Sequence, residues 1–326
     1  MNDTDAVRLL LVLSLAAACG TPPDNLFAVT DPVDNDEDGI ADQLEDRLME
    51  AFGPELRLPP DAQDWTRPAN VDWFLPKVKM RFDHPNCPDD GENLIDREAI
   101  TFANLHGKSH HTKSTLCSHN DGASDLRVSS KKHLEFFLQA EDDDAVHPGI
   151  PATRSDEWRA YIQVRASSYP GAAYDLQVWY FFPYNDNVGG ANHEADWEHL
   201  TISLSAEPEV VSVFYATHDA GHRIDDLAQL QWVDTHVVGY VADGSHATYE
   251  KAGDHPGPVV ADHAYDGGPA WQTWSNFKNL GQVGKVLNDQ DWVRYGGRWG
   301  EVGNASLTSG PPGPMFNGKW DTANEH

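Results

Sequence analysis

The chain has 326 residues, with 52 acidic and 23 basic side chains and a formal net charge of −29. This balance is a poor match for phosphate backbones, which need clustered lysine and arginine, so no nucleic-acid partner is expected. A solvated surface or a salty habitat explains the acidity without a specific cationic partner. An apolar content of 40% with 11 tryptophans supplies a sizeable core, and 26 glycines and 21 prolines favour a β-rich fold.

The N-terminus has the features of an export signal. The apolar run at residues 9–15 is too short to span a bilayer, and three alanines and Cys19 follow it. This pattern resembles a bacterial lipobox. It predicts a lipoprotein signal over residues 1–19, a lipid on Cys19 that anchors the protein to the outer membrane or cell surface, and a tether over residues 20–33. Ordinary secretion after cleavage nearby is the alternative.

The cysteine content agrees with export. If Cys19 carries lipid, Cys87 and Cys117 remain as an even pair, which in an exported protein suggests a disulfide. Such a bond closes a loop of about 30 residues and contributes roughly 3–4 kcal/mol in the loop-entropy description. Two unrelated buried thiols are the alternative. The histidines around Cys117 are interspersed with lysines and serines, which favours an exposed loop over a metal site.

Residues 34–45 match the pattern of a calcium-binding loop, in which acidic side chains supply oxygen ligands and a glycine permits a sharp turn. The predicted ligands are Asp34, Asp36, Asp38, the carbonyl of Ile40, Asp42 and Glu45. Apolar residues then recur at helical spacing, so we expect a unit of calcium loop and helix over residues 34–52. The loop resembles the single calcium loops of thrombospondin type 3 repeats, which implies a structural role. A flexible acidic linker is the alternative.

Residues 53–326 show no low-complexity break and no internal repeat, which predicts one main domain. Apolar runs of strand length, separated by glycine, proline and aspartate, predict strands at residues 174–182, 200–204, 210–216 and 236–242. Helical patterns are confined to residues 41–52 and 131–140. The predicted fold class is therefore all-β, a β-sandwich-like single domain with few short helices.

The segment 193–199, His-Glu-Ala-Asp-Trp-Glu-His, holds two histidines and three carboxylates. If it leads into a strand, alternation places Asp196 and Glu198 on the face of the apolar side chains that follow, with Trp197 and His199 on the opposite face. An ionised carboxylate on an inward face needs a cation, a metal or hydrogen-bond donors. The segment therefore predicts a metal-binding or catalytic site.

Other strand ends also carry polar groups, at Asn185, at His218 and in the turn that contains His246. Imidazole and carboxylate ligands together suit Zn, Mn, Fe or Mg. The predicted set for a second divalent metal is His193, Asp196, Glu198 and His246.

Three functions remain open for this set. The first is recognition of a polar headgroup, a glycan or glycolipid, through the divalent cation. The second is metal-dependent hydrolysis, with Glu198 or His246 as the general base. In the third, the carboxylates pair with arginine or backbone donors and only stabilise the sandwich.

Several motifs together resemble the family of vacuolar protein sorting-associated protein sixty-two, which includes plant and bacterial proteins of unknown function. The resemblance covers about residues 50–320 and implies a β-rich fold without a settled activity. Ala195 stands where that family has glycine. The motifs are Phe52-Gly-Pro-Glu-Leu-Arg-Leu58, Asn70-Val-Asp-Trp-Phe74, the aromatic run ending in Asn185, the segment 193–199, Gly244-Ser-His-Ala-Thr-Tyr249 and the segments 292–300 and 310–320.

The pattern His-x-x-Asp-Trp-Glu-His is also similar to the metal-binding heptapeptide of necrosis- and ethylene-inducing-like proteins. Those are secreted β-sandwich cytolysins in which the Asp and Glu of the motif hold a divalent cation beside a sugar headgroup. The likeness covers the motif alone. It implies that Asp196 and Glu198 bind a metal, with His193 nearby.

Overall fold

The computed structural model describes residues 27–325 except 85–86, 88–91, 115–116, 124–133, 188–189, 219, 258–259 and 283. Helix α1 spans Asp42–Phe52 and helix α2 spans Val71–Phe74. Short 3-10 helices span Leu75–Lys77, Asp143–Ala145, Ala152–Glu157, Leu227–Gln229, Thr273–Ser275, Asp291–Arg294, Ser306–Thr308, Pro314–Phe316 and Thr322–Glu325. The predicted lipidation site Cys19 and the signal segment lie outside the described residues.

Strands make up most of the regular structure. In chain order they are β1 (Glu55–Arg57), β2 (Val78–Phe82), β3 (Ser109–Lys113), β4 (Ser118–Gly122), β5 (Phe136–Ala140), β6 (Ala160–Ala166), β7 (Tyr174–Asn185), β8 (His193–Leu204), β9 (Val210–Thr217), β10 (Ala220–Ile224), β11 (Trp232–Val233), β12 (His236–Val241), β13 (Thr248–Tyr249), β14 (Gly253–His255), β15 (Asp262–Ala264), β16 (Ala270–Gln272), β17 (Phe277–Asn279), β18 (Gly281–Gln282) and β19 (Lys285–Val286).

Two large sheets form the sandwich. The six-stranded sheet has the order β10-β9-β8-β7-β6-β17, and the five-stranded sheet has the order β11-β12-β1-β16 with β13 paired to β12. Their inner faces meet where Tyr215 Oη donates to the Val238 carbonyl at 3.1 Å. A Cβ at Gly239 would lie 2.8 Å from Thr248 Cγ2, so glycine permits the close approach at this point. The predicted all-β sandwich is therefore confirmed.

A third layer covers the outer face of the six-stranded sheet. Trp197 on β8 stacks on Trp292 with ring centroids 5.4 Å apart, and it meets Trp299 edge to face at 5.3 Å. Further along the strand, His199 Nε2 lies 2.8 Å from Glu325 Oε1. Both faces of β8 are thus covered, which explains why its residues from 194 to 204 are all buried.

Helix α1 joins the N-terminal loop to the sandwich. Its side chains Leu48, Met49 and Phe52 are buried, and burying each such side chain stabilises the fold by about 1.5–3 kcal/mol. The helix ends at Gly53, whose N–H donates to the Met49 carbonyl, and the proline that follows cannot continue it. The helix predicted over residues 41–52 is present and spans Asp42–Phe52.

The other predicted strands and helices agree with the structure except in one segment. The four predicted strands lie within β7, β8, β9 and β12 or extend one residue beyond them. The helix predicted for residues 131–140 is wrong for residues 136–140, which form strand β5 antiparallel to β2. Pairing with a neighbouring strand decided this segment, because five residues are too few to distinguish the two structures by periodicity.

The disulfide between Cys87 and Cys117 is present, with their Cα atoms 5.7 Å apart. It connects the segment after β2 to the β3–β4 hairpin.

No helix of the described residues is long and apolar enough to cross a membrane.

Candidate functional site

The candidate site is a cavity of about 660 Å³ at one end of the sandwich. Its walls come from the ends of β7 and β8, the turn between β9 and β10, the turn after β12 and the C-terminal segment 306–318. A cavity of this volume suits a small ligand. The polar side chains that line it include Asn185, His193, Asp196, Glu198, His218 and Ser245.

Asp196 is the best-defined carboxylate of the cavity. Strand pairing places it opposite Phe182, and its side chain is 10% exposed. Its Oδ2 accepts a hydrogen bond from Asn185 Nδ2 at 3.1 Å and lies 3.0 Å from His246 Nδ1. Both contacts are made by one oxygen, so the carboxylate is held in place while it lines the cavity.

His246 lies behind Asp196 and not on the cavity wall. It is fully buried, its ring stacks on Phe182 with centroids 3.9 Å apart, and its Nε2 lies 3.4 Å from Asp64 Oδ2. Burial lowers the pKa of His246, but hydrogen bonds and charges from Asp196 and Asp64 outweigh burial and raise the pKa to about 9. His246 is therefore a cation at neutral pH and offsets negative charge behind the cavity.

Asp64 is a member of this network that the sequence did not indicate. Its carboxylate accepts hydrogen bonds from the N–H groups of Gly244 at 2.9 Å and Thr66 at 2.8 Å. Burial raises the pKa of Asp64, but His246 and the backbone donors outweigh burial, and the pKa falls to about 2. Asp64 and Gly244 lie 180 residues apart in the sequence, so no local pattern connects them.

Asn185 carries the most informative atom of the cavity. The residue is 7% exposed, and its Oδ1 is buried without a hydrogen-bond partner among the described residues. A buried acceptor left without a donor costs about 1–3 kcal/mol, and a cation bound at this oxygen would remove that cost. The sequence placed Asn185 only at the polar end of an aromatic strand, where the change from aromatic to amide was the available signal.

The other residues of the segment 193–199 are divided among different surroundings. His193 and Glu198 line the cavity, and His193 Nδ1 lies 2.8 Å from the Ala195 carbonyl. Glu194 points elsewhere, because its carboxylate accepts hydrogen bonds from the Ala140 and Glu301 N–H groups. The remaining pair, Trp197 and His199, packs against the third layer, although Trp197 also reaches the edge of the cavity.

The predicted metal set is therefore only partly assembled at the cavity. Within the described parts of the chain, no three ligand atoms of the predicted set lie within 4.8 Å of one another. The set is His193, Asp196, Glu198 and His246. The carboxylates of Asp196 and Glu198 line the same cavity as the Asn185 amide. His246 acts on this group through its contact with Asp196.

Strained backbone also concentrates around this cavity. Ala195, His218 and His246 have φ angles of 59°, 51° and 55°. This left-handed conformation is unfavourable for residues with a Cβ, costs on the order of 1–3 kcal/mol, and is found frequently at functional sites. His218 lines the cavity, Ala195 precedes Asp196 in the sequence, and His246 contacts the Asp196 side chain.

His218 forms a second polar unit on the cavity wall. Its Nε2 lies 2.7 Å from Asp262 Oδ2, while Ser245 Oγ donates to Asp262 Oδ1 at 2.8 Å. Tyr249 Oη also donates to this buried carboxylate at 2.5 Å. Burial raises the pKa of Asp262, but these partners outweigh burial and lower it. Asp262 therefore stays ionised and orients His218.

The predicted calcium loop, residues 34–45, forms a separate cluster beside α1. The ligand atoms of Asp36, Asp38 and Glu45 lie within 4.8 Å of one another, and so do those of Asp34, Asp36 and Asp42. Both oxygens of Asp36 and Oε1 of Glu45 are buried without hydrogen-bond partners among the described residues. The loop is thus a set of converging carboxylates with unused acceptor capacity.

The loop is also joined to the sandwich. Asn279 Nδ2 donates to Glu45 Oε2 at 2.8 Å, and Gln282 Nε2 donates to Asp38 Oδ2 at 3.2 Å. Burial, followed by the charge of Asp38, raises the pKa of Asp36 to about 7, and burial, followed by the charge of Asp36, raises the pKa of Glu45 to about 9. Buried carboxylates in mutual repulsion fit the oxygen-rich chemistry of a calcium site.

Comparison with solved structures finds distant likenesses to necrosis- and ethylene-inducing toxins. One is Necrosis and Ethylene inducing Protein 2 from the causal agent of cocoa's Witches Broom disease. The two sequences are 15% identical, the match covers 70% of this chain and 82% of that chain, and the TM-score is 0.28. Another is described as "Toxin fold as basis for microbial attack and plant defense". It is 11% identical to this chain, the match covers 90% of each chain, and the TM-score is 0.36. A third, NLPPya in complex with glucosamine, has 12% identity, 50% and 65% coverage and a TM-score of 0.29. At these scores the likenesses do not transfer a function.

Comparison with curated proteins gives no match. The family model described as Vacuolar protein sorting-associated protein 62 matches residues 102–257. This span contains β8, with Asp196 and Glu198, and the turn with His246, whereas the motifs at residues 52–74 and 292–320 lie outside it. The predicted resemblance to the vacuolar protein sorting-associated protein 62 family is therefore confirmed over residues 102–257.

Proposed function

We propose that this protein recognises a polar headgroup, a glycan or glycolipid, through a divalent cation in the cavity at the end of the sandwich. Asp196, Glu198 and Asn185 Oδ1 supply oxygen ligands, and water and the headgroup complete the coordination shell. The observation that carries the proposal is the buried Oδ1 of Asn185, which has no hydrogen-bond partner in the described structure and lies beside Asp196.

The charge distribution supports a cation at this position. The carboxylates of Asp196 and Glu198 line one cavity, together with the Arg298 side chain, and His246 lies beside Asp196. Two carboxylates that line one partly buried cavity are favourable oxygen ligands for a divalent cation. His246 orients Asp196 in the way that outer-shell partners orient metal ligands.

The mixed lining of the cavity suits a sugar. The C-terminal segment contributes the apolar side chains Leu307, Pro311 and Pro312 beside polar ones, and β8 contributes polar groups. A sugar ring has an apolar face and a rim of hydroxyl groups, so it can contact both kinds of side chain. The hydroxyls can also serve as oxygen ligands of the cation.

A binding screen tests the proposal. We expect the purified protein to bind members of a glycan and glycolipid panel in Mg²⁺ or Mn²⁺, and to lose that binding in chelator. Asp196→Asn should abolish the signal, while Glu207→Gln, an exposed carboxylate beyond the far end of β8, should keep it. Equal binding by both variants, or binding that persists in chelator, contradicts the proposal.

Hydrolysis in the same cavity is the second candidate, and the His218–Asp262 pair favours it. His246 is unsuited to act as the general base, because it is buried and a carboxylate lies beside each ring nitrogen. His218 lines the cavity with its ring oriented by Asp262. Turnover of ester, phosphoester or glycoside substrates that His218→Ala removes would favour hydrolysis over recognition.

We also propose that the loop over residues 34–45 binds calcium. The unpartnered oxygens of Asp36 and Glu45 support it, and the contacts to Asn279 and Gln282 suggest a structural role. A calcium ion would connect the N-terminal segment to the edge of the six-stranded sheet. Calorimetric titration with Ca²⁺ tests this, and no heat of binding in metal-free protein would contradict it.

Attachment to a membrane through Cys19 completes the proposal. Its support is the lipobox-like sequence, and it predicts that the mature protein is exported and held at the outer membrane or cell surface. Metabolic labelling with a fatty-acid analogue should mark the wild type and not Cys19→Ser. Release of unlabelled wild-type protein into the medium would instead indicate ordinary secretion.

A further inference from the structure

A second, smaller cavity lies beside the disulfide and is lined by residues distant in sequence from those of the candidate site. Its volume is about 120 Å³, and both sulfurs and the imidazoles of His84, His110 and His119 line it. The rings of His84 and His119 stack with centroids 4.8 Å apart, and those of His110 and His119 with centroids 5.0 Å apart. Sulfur and imidazole together are the ligand types that zinc prefers.

The spacing and local geometry around the sulfurs also match a zinc site. His84 and Cys87 are separated by two residues, and the Cys87 N–H donates to the His84 carbonyl at 2.9 Å, which closes a tight turn. Spacings of two to four residues between ligands are typical of structural zinc sites. The ligand atoms of His84, Cys87 and Cys117 lie within 4.8 Å of one another, and His84 Nδ1 is 3.3 Å from Cys87 Sγ.

His119 has the surroundings of a metal ligand. Its side chain is 5% exposed, and its Nδ1 lies 2.9 Å from Asp121 Oδ2. Zinc-binding histidines usually have a carboxylate beside the other ring nitrogen, which fixes the ring orientation and raises the basicity of the ligating nitrogen. With Nδ1 directed to Asp121, Nε2 is the nitrogen available for a metal.

We infer that Cys87, Cys117 and His84 form a zinc site when the disulfide is reduced, with His119 as the fourth ligand. An external dithiol would supply two electrons and two protons, break the Sγ–Sγ bond and itself become a disulfide. Zn²⁺ then replaces the two thiol protons, which pass to solvent, and forms two Zn–S bonds. Disulfide and zinc are therefore alternative ways to fasten the β3–β4 hairpin to the segment after β2.

Cobalt titration tests the inference, because Co²⁺ bound to thiolates gives an ultraviolet charge-transfer band that carboxylate sites do not. The full-length protein is titrated with CoCl₂ in excess Ca²⁺, with and without prior reduction by a phosphine, which is oxidised to its phosphine oxide. We expect the band in the reduced protein only, and its loss on addition of Zn²⁺. Circular dichroism checks that the reduced protein remains folded.

Matched variants separate a metal site from simple packing. His84→Ala keeps both cysteines and should weaken cobalt binding by about 10-fold or more, since even changes to outer-shell partners cost 10–100-fold. His111→Ala changes an exposed histidine on the same hairpin and should leave the affinity unchanged. Absence of the band in folded, reduced wild type, or equal affinity in His84→Ala, would overturn the inference.

Discussion

His246 Nδ1 lies 3.0 Å from Asp196 Oδ2. The imidazole is fully buried, and the ring of Phe182 stacks on one of its faces. His246 therefore holds Asp196 in position without entering the cavity. Within the predicted metal set, Asp196 would therefore hold the cation and His246 would orient Asp196. His246 also connects the cavity to Asp64, which lies beside the other nitrogen of the ring.

Replacing His246 should weaken metal binding without removing a ligand. We expect His246→Gln to lower the affinity for Mn²⁺ by about 10–100-fold, because loss of an outer-shell partner has this typical effect. Electron paramagnetic resonance titration measures free Mn²⁺ directly. His263→Gln is the control, since His263 is partly exposed and pairs with Asp254 outside the cavity. An unchanged affinity of His246→Gln for Mn²⁺ would show that His246 does not support the metal site.

Stability at low pH should depend on Asp64. Its pKa is 3.8 in the reference state and about 2 in the folded protein, so its contribution is complete above pH 4 and is lost as the pH falls toward 2. The difference corresponds to about 2 kcal/mol. His246 stays protonated throughout this range, so it does not mask the change.

The comparison between wild type and Asp64→Asn measures this contribution. The wild type should lose more unfolding free energy than the variant between pH 4 and pH 2 in urea titrations, because the variant has no carboxyl to protonate at this position. Parallel pH profiles for the two proteins would show that folding does not lower the pKa of Asp64.

Calcium should stabilise the protein through Glu45. Calcium at 100 times its dissociation constant should raise the unfolding free energy of the wild type by about 2.7 kcal/mol. Glu45→Gln removes a charged ligand whose Oε1 is otherwise unpartnered within the described structure, so its gain should be much smaller. Glu50→Gln, exposed on the same helix, should respond like the wild type in thermal unfolding. Equal gains in all three proteins would place calcium elsewhere.

The C-terminal segment should depend on Glu325 for its attachment. The side chain of Glu325 is buried and accepts hydrogen bonds from Gln177 and Thr201, beside His199. Glu325→Ala leaves these buried groups without their partner, and we expect a loss of about 3 kcal/mol or more in urea unfolding. Ala323→Ser, exposed on the same turn, should change stability by less than about 0.5 kcal/mol.

Residues 306–318, which precede this attachment in the chain, supply a wall of the cavity, so Glu325→Ala should reduce ligand binding as well as stability. Binding should recover in part when the variant is stabilised by an osmolyte such as sucrose, which favours the compact state. Full binding in the unfolding-prone variant without osmolyte would mean that the wall and the attachment of the segment are independent.

The sequence was sufficient to predict the local features of the fold. Alternation along β8 correctly separated Asp196 and Glu198 from His199, because period-two geometry is a property of the strand itself. The aromatic run of β7 and the apolar run of β9 were also recognisable as strands for this reason. The helix predicted at residues 136–140 failed because strand pairing is decided by a neighbour distant in sequence.

The site itself depends on contacts that no local pattern contains. Asp64 reaches the turn at Gly244 across 180 residues, and Asp262 orients His218 across 44. The sequence placed His246 among the ligands, whereas the structure places it behind Asp196, because only the packed sandwich determines which side of the ring meets the cavity. The unpartnered oxygen of Asn185 could be recognised only after its surroundings were known.

The most direct test of the central claim is a Mn²⁺ titration of protein in which the calcium loop is disabled by Asp36→Asn and Glu45→Gln. In this background we expect one remaining binding site in the otherwise wild-type protein. Adding Asp196→Asn should abolish that site, and adding Asn185→Ala should weaken it by about 10-fold or more. Mn²⁺ binding that is unchanged by both substitutions, or absent before either is made, would contradict a divalent cation at the end of the sandwich.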